Sequence, residues 1–177
     1  KDHPGHRSFT VLRHPVRRAY ATFCRFILPD DRPIYADPRK IMRQRYKLPI
    51  PNAAPGPDWS VEDQKAAFAG FLDFLKSNLA GQTSVRIDAA WASQSAILQG
   101  MAQVTLPHHL VREEEMARAL PDLARAAGVD DPPAPRGEAI PGPVPLSRVY
   151  DGKLEKATID AYRRDYLGLG FPRLNRM

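Results

Sequence analysis

The sequence contains one cysteine, Cys24, so the chain cannot form an intramolecular disulfide. This excludes the small secreted scaffolds held by disulfides and favours a reducing cytoplasm as the location. No apolar run reaches the ~20 residues that a membrane-spanning helix needs, and no signal peptide is visible. The chain opens on Lys1 rather than on Met, so we expect its first segment to be missing.

Negative charge is scarce in the first 48 residues. They contain 12 Lys and Arg but only 4 Asp and Glu, whereas the rest of the chain contains 14 and 16. The net charge of +6 therefore belongs to one segment, which favours an anionic partner there. The length of 177 residues fits one domain, 1–177, with its own core.

The first 27 residues predict a strand, a tight turn and a helix. Residues 8–12 alternate and are rich in β-forming side chains. Pro15 suits the first turn of a helix, where its missing N–H is no loss. From Val16 the apolar positions then repeat at helical spacing up to Ile27. On this helix Cys24 is expected to be a buried structural thiol.

The rest of the chain continues this alternation. Ser60 and Asp63 form a capping box before a long helix, which Gly81 ends. We predict further strands at 85–87 and 104–112 and further helices beginning at Asp88, Met116 and Leu154. The proline-rich segments 29–58 and 130–145 are expected to be loops, the first with at most one helical turn near 40–46. The order predicts an α/β fold with a mainly parallel sheet flanked by helices.

An anion site is a plausible use of the strand, turn and helix at the start of the chain. Backbone N–H groups and the positive end of the helix dipole meet at such a turn. Arg13 lies in the turn, and Arg17 and Arg18 lie in the first helical turn, so three guanidinium groups can converge there. The alternative is that Arg17 and Arg18 are solvated and that Arg13 pairs with a carboxylate.

The same residues resemble a known family. Arg13-His14-Pro15-Val16-Arg17-Arg18 resembles the R-D-P-x-x-R-x-x-S-x-Y segment of sulfotransferases that use 3′-phosphoadenosine-5′-phosphosulfate. In that family the first Arg and the Ser bind the 3′-phosphate of the nucleotide. His14 replaces the family's Asp, Ala21 replaces its Ser and Phe23 replaces its Tyr. Thr22 is the nearest hydroxyl that could act instead of the missing Ser.

The resemblance continues downstream in the same order. Residues 88–100 are similar to the H-W-x-P-Q segment of carbohydrate-type members, with Trp91 and Gln94 matching and Ala90 in place of the His. Residues 110–128 are similar to the family's late strand and helix, and 149–171 to its last helix, with the Y-x-x-D-Y and G-F ending.

The resemblance implies a P-loop-like sulfotransferase architecture. It implies transfer of a sulfuryl group to a hydroxyl of a carbohydrate or glycolipid, with 3′-phosphoadenosine-5′-phosphosulfate as co-substrate, no metal and no nucleic-acid partner. Arg13, Arg18 and Thr22 are the expected nucleotide ligands, and Trp91 and Gln94 the expected acceptor residues. The loop that holds the 5′-phosphosulfate does not appear, because no Gly-rich loop with a following Lys precedes Ser8.

Several single residues carry weaker alternatives. No catalytic base is assigned; Asp88 and His14 are nearby ionisable candidates, although Asp88 is better placed as a helix cap. For Trp91, packing in the core is favoured over a role as a sugar-stacking platform, because large aromatic side chains on helical stripes more often belong to the core. The adjacent His108 and His109 would point to opposite faces of a strand, which disfavours a metal site.

Two other functions are compatible with the sequence. The basic segment 1–48 could belong to a non-enzymatic module that binds nucleic acid or another polyanion. A P-loop kinase shares the predicted layout, but it would need a phosphate loop and Mg²⁺ ligands that are not evident beside the Arg-His-Pro turn.

Overall fold

The computed structural model describes residues 6–137 and 139–174. In this part of the chain two short strands and eight α-helices follow one another. They are β1 (Phe9–Leu12), α1 (Pro15–Thr22), α2 (Ala36–Tyr46), α3 (Val61–Leu79), α4 (Gln94–Met101), β2 (His109–Arg112), α5 (Met116–Ala126), α6 (Leu146–Val149), α7 (Gly152–Ala161) and α8 (Arg163–Gly168). A π-helical segment, Phe23–Ile27, continues α1, and 3₁₀ turns precede α2 and α5.

The sheet of the described residues is one parallel pair. β1 lies beside β2 with Phe9 opposite His109 and Leu12 opposite Arg112. The fold is therefore mixed helix and strand with a small parallel sheet, much smaller than the sequence predicts. The carboxyl ends of both strands lie at the same edge, where parallel sheets commonly hold ligands.

One predicted strand is wrong and another is shorter than predicted. Residues 85–87 are not a strand, because the Val85 carbonyl accepts hydrogen bonds from the side chains of Asn78, at 2.7 Å, and Thr83, at 3.3 Å. The strand predicted from 104 begins only at His109, because the N–H groups of residues 104 and 105 bond back to the end of α4 at the Met101 carbonyl. Local polar partners thus replace the neighbouring strand that β-forming residues need.

The helix α2 corrects the expectation of an irregular 29–58 segment. Pro38 lies in its first turn, where a backbone N–H has no partner inside the helix, so the proline costs nothing there. The helix continues for 11 residues and ends where Lys47 takes a left-handed conformation, with φ of 54°. Proline content alone therefore predicted a loop where this helix begins.

Two helix boundaries also differ from the prediction. The helix expected to start at Asp88 starts at Gln94, because Ser93 caps it by accepting the Ala96 N–H at 3.1 Å. The last helix, expected to run unbroken from 154 to 167, breaks at Tyr162, which has φ of −111° and ψ of 34°. Because of this break, α8 is a separate helix, and it packs against α4.

The apolar core lies around α3, which packs against α7 and α6 and against aromatic rings from α1 and its π-helical continuation. The capping box of Ser60 and Asp63 is confirmed, and α3 ends at Leu79 just before Gly81. Its buried Phe68 lies 4.9 Å from the ring of Tyr20 and 5.7 Å from that of Phe23. Most of the described buried apolar side chains form one cluster that extends from Leu12 to Phe171.

The proline-rich segment 130–145 is irregular as expected, but its second half packs on the core. The Val144 carbonyl accepts a hydrogen bond from the buried hydroxyl of Tyr20. Gly142 has φ of 139°, and a Cβ there would lie 2.9 Å from the sulfur of Cys24. Burial raises the pKa of the Cys24 thiol to about 12, which supports the structural role predicted for it.

Candidate functional site

The candidate site lies at the carboxyl edge of the parallel pair. The residue after β1 is Arg13 and the residue after β2 is Glu113, and the register of the strands brings them together. The guanidinium of Arg13 donates from Nε to Glu113 Oε1 at 2.6 Å, and its Nη2 lies 2.5 Å from the same oxygen. The Arg13 side chain is 33% exposed, so part of the guanidinium remains accessible to a ligand.

The imidazole of His14 caps the first turn of α1. Its Nδ1 accepts the Val16 N–H at 3.3 Å, so Nε2 carries the proton and donates to the Pro172 carbonyl at 2.9 Å. The ring is buried, edge-on to Tyr166 and Phe171. An acceptor at this position is what a helix start requires, so His14 supplies the capping atom that an Asp would otherwise supply. Both ring nitrogens are occupied, which leaves no free nitrogen for a catalytic base.

Arg18 and Thr22 hold a loop. Arg18 donates to the carbonyl oxygens of Ala92, at 2.6 Å, and Ala89, at 3.0 Å. Thr22 Oγ1 donates to the Ala90 carbonyl at 2.8 Å. The two side chains lie four residues apart on one helix face, which points at the 88–92 turn. Both residues were predicted to be phosphate ligands, and in the structure their side chains bond these carbonyl oxygens instead.

Arg17 is the arginine that stays available. The residue is half-buried, and its guanidinium makes no hydrogen bond or ion pair to any residue of the described ranges 6–137 and 139–174. The backbone N–H of Arg17 likewise forms no hydrogen bond to the Arg13 carbonyl, which accepts from Gln94 Nε2. The free donors at the start of α1 are thus the backbone and side chain of Arg17 and the outer part of the Arg13 guanidinium.

Trp91 and Gln94 are buried, and neither side chain is open to an acceptor. Trp91 is 1% exposed, and its indole N–H donates to Asn78 Oδ1 at 2.8 Å, so in this structure it packs in the core, the alternative to a sugar platform that the sequence left open. The Gln94 amide forms two hydrogen bonds to the backbone of Arg13, each of 2.9 Å. Both residues that matched the family segment are therefore internal to the structure.

Asp88 caps a turn with one of its two carboxylate oxygens. Its Oδ1 accepts the Ala90 N–H at 2.8 Å and the Tyr35 hydroxyl at 3.3 Å. Its Oδ2 has no hydrogen bond among the described residues. A cavity of about 400 Å³ opens beside it, lined also by Ile34, Arg86 and Ile87. Ile87 also lines a larger cavity of about 710 Å³, bordered by α4 and α8.

Asp165 is the residue of this site whose role the sequence did not reveal. It is fully buried, and its two oxygens accept the N–H groups of Gln94 and Ser95 at the start of α4, each at 2.9 Å. The signal was available in the Y-x-x-D-Y spacing, whose central acid it is. Its neighbours Tyr162 and Tyr166 are buried, and the hydroxyl of Tyr162 donates to the Trp91 carbonyl at 2.9 Å.

The remaining polar groups near the edge belong to packing. Tyr166 donates to the buried carboxylate of Glu155 at 2.7 Å, and burial together with that carboxylate raises the pKa of Tyr166. His108 Nδ1 accepts the Ser8 N–H at 3.1 Å, which ties the start of β1 to β2. Among the described residues no three His, Cys, Asp or Glu side chains are grouped so that they could hold a metal ion.

One structural finding and three comparisons with known proteins concern the molecule as a whole. In the described part of the chain no helix has the length and apolar character needed to cross a membrane. No family model, no curated protein and no solved structure matches the chain.

Proposed function

We propose that this protein transfers a sulfuryl group from 3′-phosphoadenosine-5′-phosphosulfate to a hydroxyl of a carbohydrate or glycolipid. The observation that carries the proposal is that three of the four sulfotransferase-like segments meet around Arg13 through hydrogen bonds. Gln94 bonds the backbone of Arg13, Arg18 bonds the loop that precedes Gln94, and Asp165 bonds the N–H of Gln94. Segments about 70 residues apart in sequence thus form one hydrogen-bonded cluster.

The 3′-phosphate of the nucleotide would bind at the start of α1. The outer N–H groups of Arg13, the Arg17 guanidinium and the Arg17 N–H are donors of the kind that a phosphate dianion needs. This set replaces the expected one of Arg13, Arg18 and Thr22. Glu113 fixes the Arg13 guanidinium from one side and leaves the other to the ligand. In the P-loop-like sulfotransferase architecture that we propose, β1 and β2 are two strands of the nucleotide-binding sheet.

The reaction forms a bond from the acceptor oxygen to sulfur and breaks the bond from sulfur to the 5′-phosphate oxygen. The acceptor proton passes to a base, and adenosine 3′,5′-bisphosphate leaves. Because charge spreads over the transferring group, positioning and positive charge supply most of the rate, as in phosphoryl transfer. His14 is excluded as the base by its two hydrogen bonds. Asp88 keeps a free oxygen beside a cavity, so we propose the acceptor there and Asp88 as its base.

Titration calorimetry with adenosine 3′,5′-bisphosphate tests the proposal, using protein from the complete reading frame. We expect Arg13→Ala to weaken binding about 10- to 100-fold, the loss typical of charge-assisted hydrogen bonds. Arg125→Ala is the matched control, since Arg125 forms an exposed ion pair with Asp122 on α5. Wild-type protein that does not bind the nucleotide, or Arg13→Ala that binds equally well, overturns the proposal.

Oligonucleotide binding separates the proposal from the alternative of a polyanion-binding module. Such a module would bind single-stranded DNA with an affinity that falls steeply as salt rises. A sulfotransferase would instead prefer the bisphosphate over an oligonucleotide at every salt concentration.

The Asp88→Asn variant tests the proposed base, because it should slow sulfuryl transfer while the affinity for the bisphosphate stays the same.

A further inference from the structure

We infer that Gln94 and Asp165 are positioning residues for Arg13, and that the last helical segment thereby controls how the 3′-phosphate is recognised. The inference rests on the proposed function. Neither side chain reaches the accessible part of the site, since Gln94 is 7% exposed and Asp165 is fully buried. They act through the backbone, in a chain of hydrogen bonds from α8 through α4 to the end of β1.

The first link joins Gln94 to Arg13. Gln94 Oε1 accepts the Arg13 N–H and Gln94 Nε2 donates to the Arg13 carbonyl, both at 2.9 Å. Arg13 lies just beyond β1, where the ladder no longer supplies partners, so these two bonds satisfy a backbone that would otherwise be unpaired. A carboxamide is the side-chain group that offers a donor and an acceptor side by side. The pair of bonds fixes the peptide planes on both sides of the Arg13 Cα.

The second link joins Asp165 to the start of α4. Its two carboxylate oxygens accept consecutive N–H groups, those of Gln94 and Ser95. No ion pair to Asp165 occurs within residues 6–137 and 139–174. A buried carboxylate without a cation is stabilised here by the helix N-terminus that it caps. Asp165 thereby fixes the backbone from which the Gln94 side chain extends.

The consequence for recognition is that both ends of the Arg13 side chain are fixed. Gln94 holds its backbone, and Glu113 holds its guanidinium through Nε and Nη2. A fixed guanidinium can meet a phosphate in a bidentate geometry without first losing conformational freedom. Removing the Gln94 bonds leaves the Arg13 charge in place and removes its orientation.

Amide hydrogen exchange measured by NMR tests the positioning without any ligand. We expect Gln94→Met, which keeps the length of the side chain, to accelerate exchange at the Arg13 N–H at least about tenfold. Asp165→Asn should do the same to a smaller extent, because one of its two atoms can still accept. Asp160→Asn is the control, since Asp160 forms an exposed ion pair with Lys76 and makes no bond to α4. Unchanged exchange at Arg13 in Gln94→Met overturns the inference, whatever the protein binds.

The ratio of two affinities tests the role in recognition. Adenosine 3′,5′-bisphosphate and adenosine 5′-phosphate differ only in the 3′-phosphate, so the ratio of their dissociation constants isolates that group. We expect Gln94→Met to lower the ratio of the dissociation constant for adenosine 5′-phosphate to that for adenosine 3′,5′-bisphosphate about tenfold. The affinity for adenosine 5′-phosphate should stay unchanged. A variant with a general folding defect would weaken both ligands alike. In the Arg13→Ala background, Gln94→Met should have no further effect on the ratio.

The outcomes separate the two proposals. If wild-type protein does not prefer the bisphosphate, the proposed function is wrong, while the exchange rates still decide whether Gln94 and Asp165 hold Arg13. If wild-type protein prefers the bisphosphate and Gln94→Met keeps the same ratio, the inference is wrong and the proposed function stands. Asp165→Asn provides a second, independent variant of the same chain of bonds should Gln94→Met fail to fold.

Discussion

The two sides of α1 are stabilised in different ways. One side packs aromatic rings against α3, where Tyr20 and Phe23 meet Phe68. The other side uses Arg18 and Thr22 to hold the carbonyl groups of the 88–92 turn. The apolar side depends on volume and burial, whereas the polar side depends on the direction of individual bonds. Stability therefore resides mainly in the first side and the geometry of the candidate site in the second.

The largest expected effect comes from breaking the apolar side. Phe68→Ala removes a fully buried ring between α1 and α3 and should lower the free energy of unfolding by about 3–5 kcal/mol, measured by urea denaturation. Phe9→Ala is the matched control, because Phe9 is 50% exposed and should cost about 1 kcal/mol or less. Folded Phe68→Ala protein should keep the wild-type affinity for adenosine 3′,5′-bisphosphate. Equal costs for the two variants would contradict this division of α1.

The next effect contrasts two adjacent arginines on the polar side. Arg18→Ala removes two hydrogen bonds to the 88–92 turn and should cost about 1–2 kcal/mol of stability in the same urea experiment. Arg17→Ala removes no bond to a described residue and should change stability by less than about 0.5 kcal/mol. In the binding experiment Arg17→Ala should show the larger loss, because Arg17 has the free donors. The reverse order would restore Arg18 as the phosphate ligand.

The same division explains how much the sequence predicted. The α3 helix, its capping box and the stripe from Val16 to Ile27 were predicted well, because helical periodicity reports burial directly. The roles of Arg18 and Gln94 were not, because a polar side chain can bond a ligand or a distant carbonyl, and spacing does not distinguish the two. The strand predicted at 85–87 failed for a related reason, since Asn78 supplied its partner from another element.

The candidate site was located in part. Arg13 and the turn around it were predicted from the strand, the Pro15 helix start and the resemblance. The structure also shows the alternative that the sequence left open for Arg13, which is an ion pair with a carboxylate, here that of Glu113. The bonds of Asp165 to α4 could not be predicted from the sequence, because they depend on the break at Tyr162, which turns α8 toward α4. A break of this kind follows from tertiary packing, and the local sequence 154–167 reads as one continuous helix.

The smallest expected effect concerns a charge at the rim of the apolar side, where α7 packs on α3. Asp151 caps α7 by accepting the N–H groups of residues 153 and 154, and Lys65 of α3 lies 2.7 Å from its other oxygen. The hydrogen bond from Lys65 and the backbone N–H groups hold the pKa of Asp151 below its usual value. A carboxyl group with a lowered pKa in the folded state stabilises the protein above its unfolded pKa of about 3.9 and loses that contribution as the pH falls.

Asp151→Asn should therefore be less stable than wild type by about 1 kcal/mol near pH 7, the usual value of a helix cap. Urea denaturation at a series of pH values should show this difference as constant above about pH 5. Below about pH 4 it should shrink, because the unfolded wild-type chain then binds a proton at Asp151, and the folded protein binds one as the pH falls further. Lys65→Met removes the cationic partner and should weaken the pH dependence while the cap itself remains. A difference that stays the same down to pH 3 would mean that Asp151 acts through its shape alone and that its charge contributes nothing.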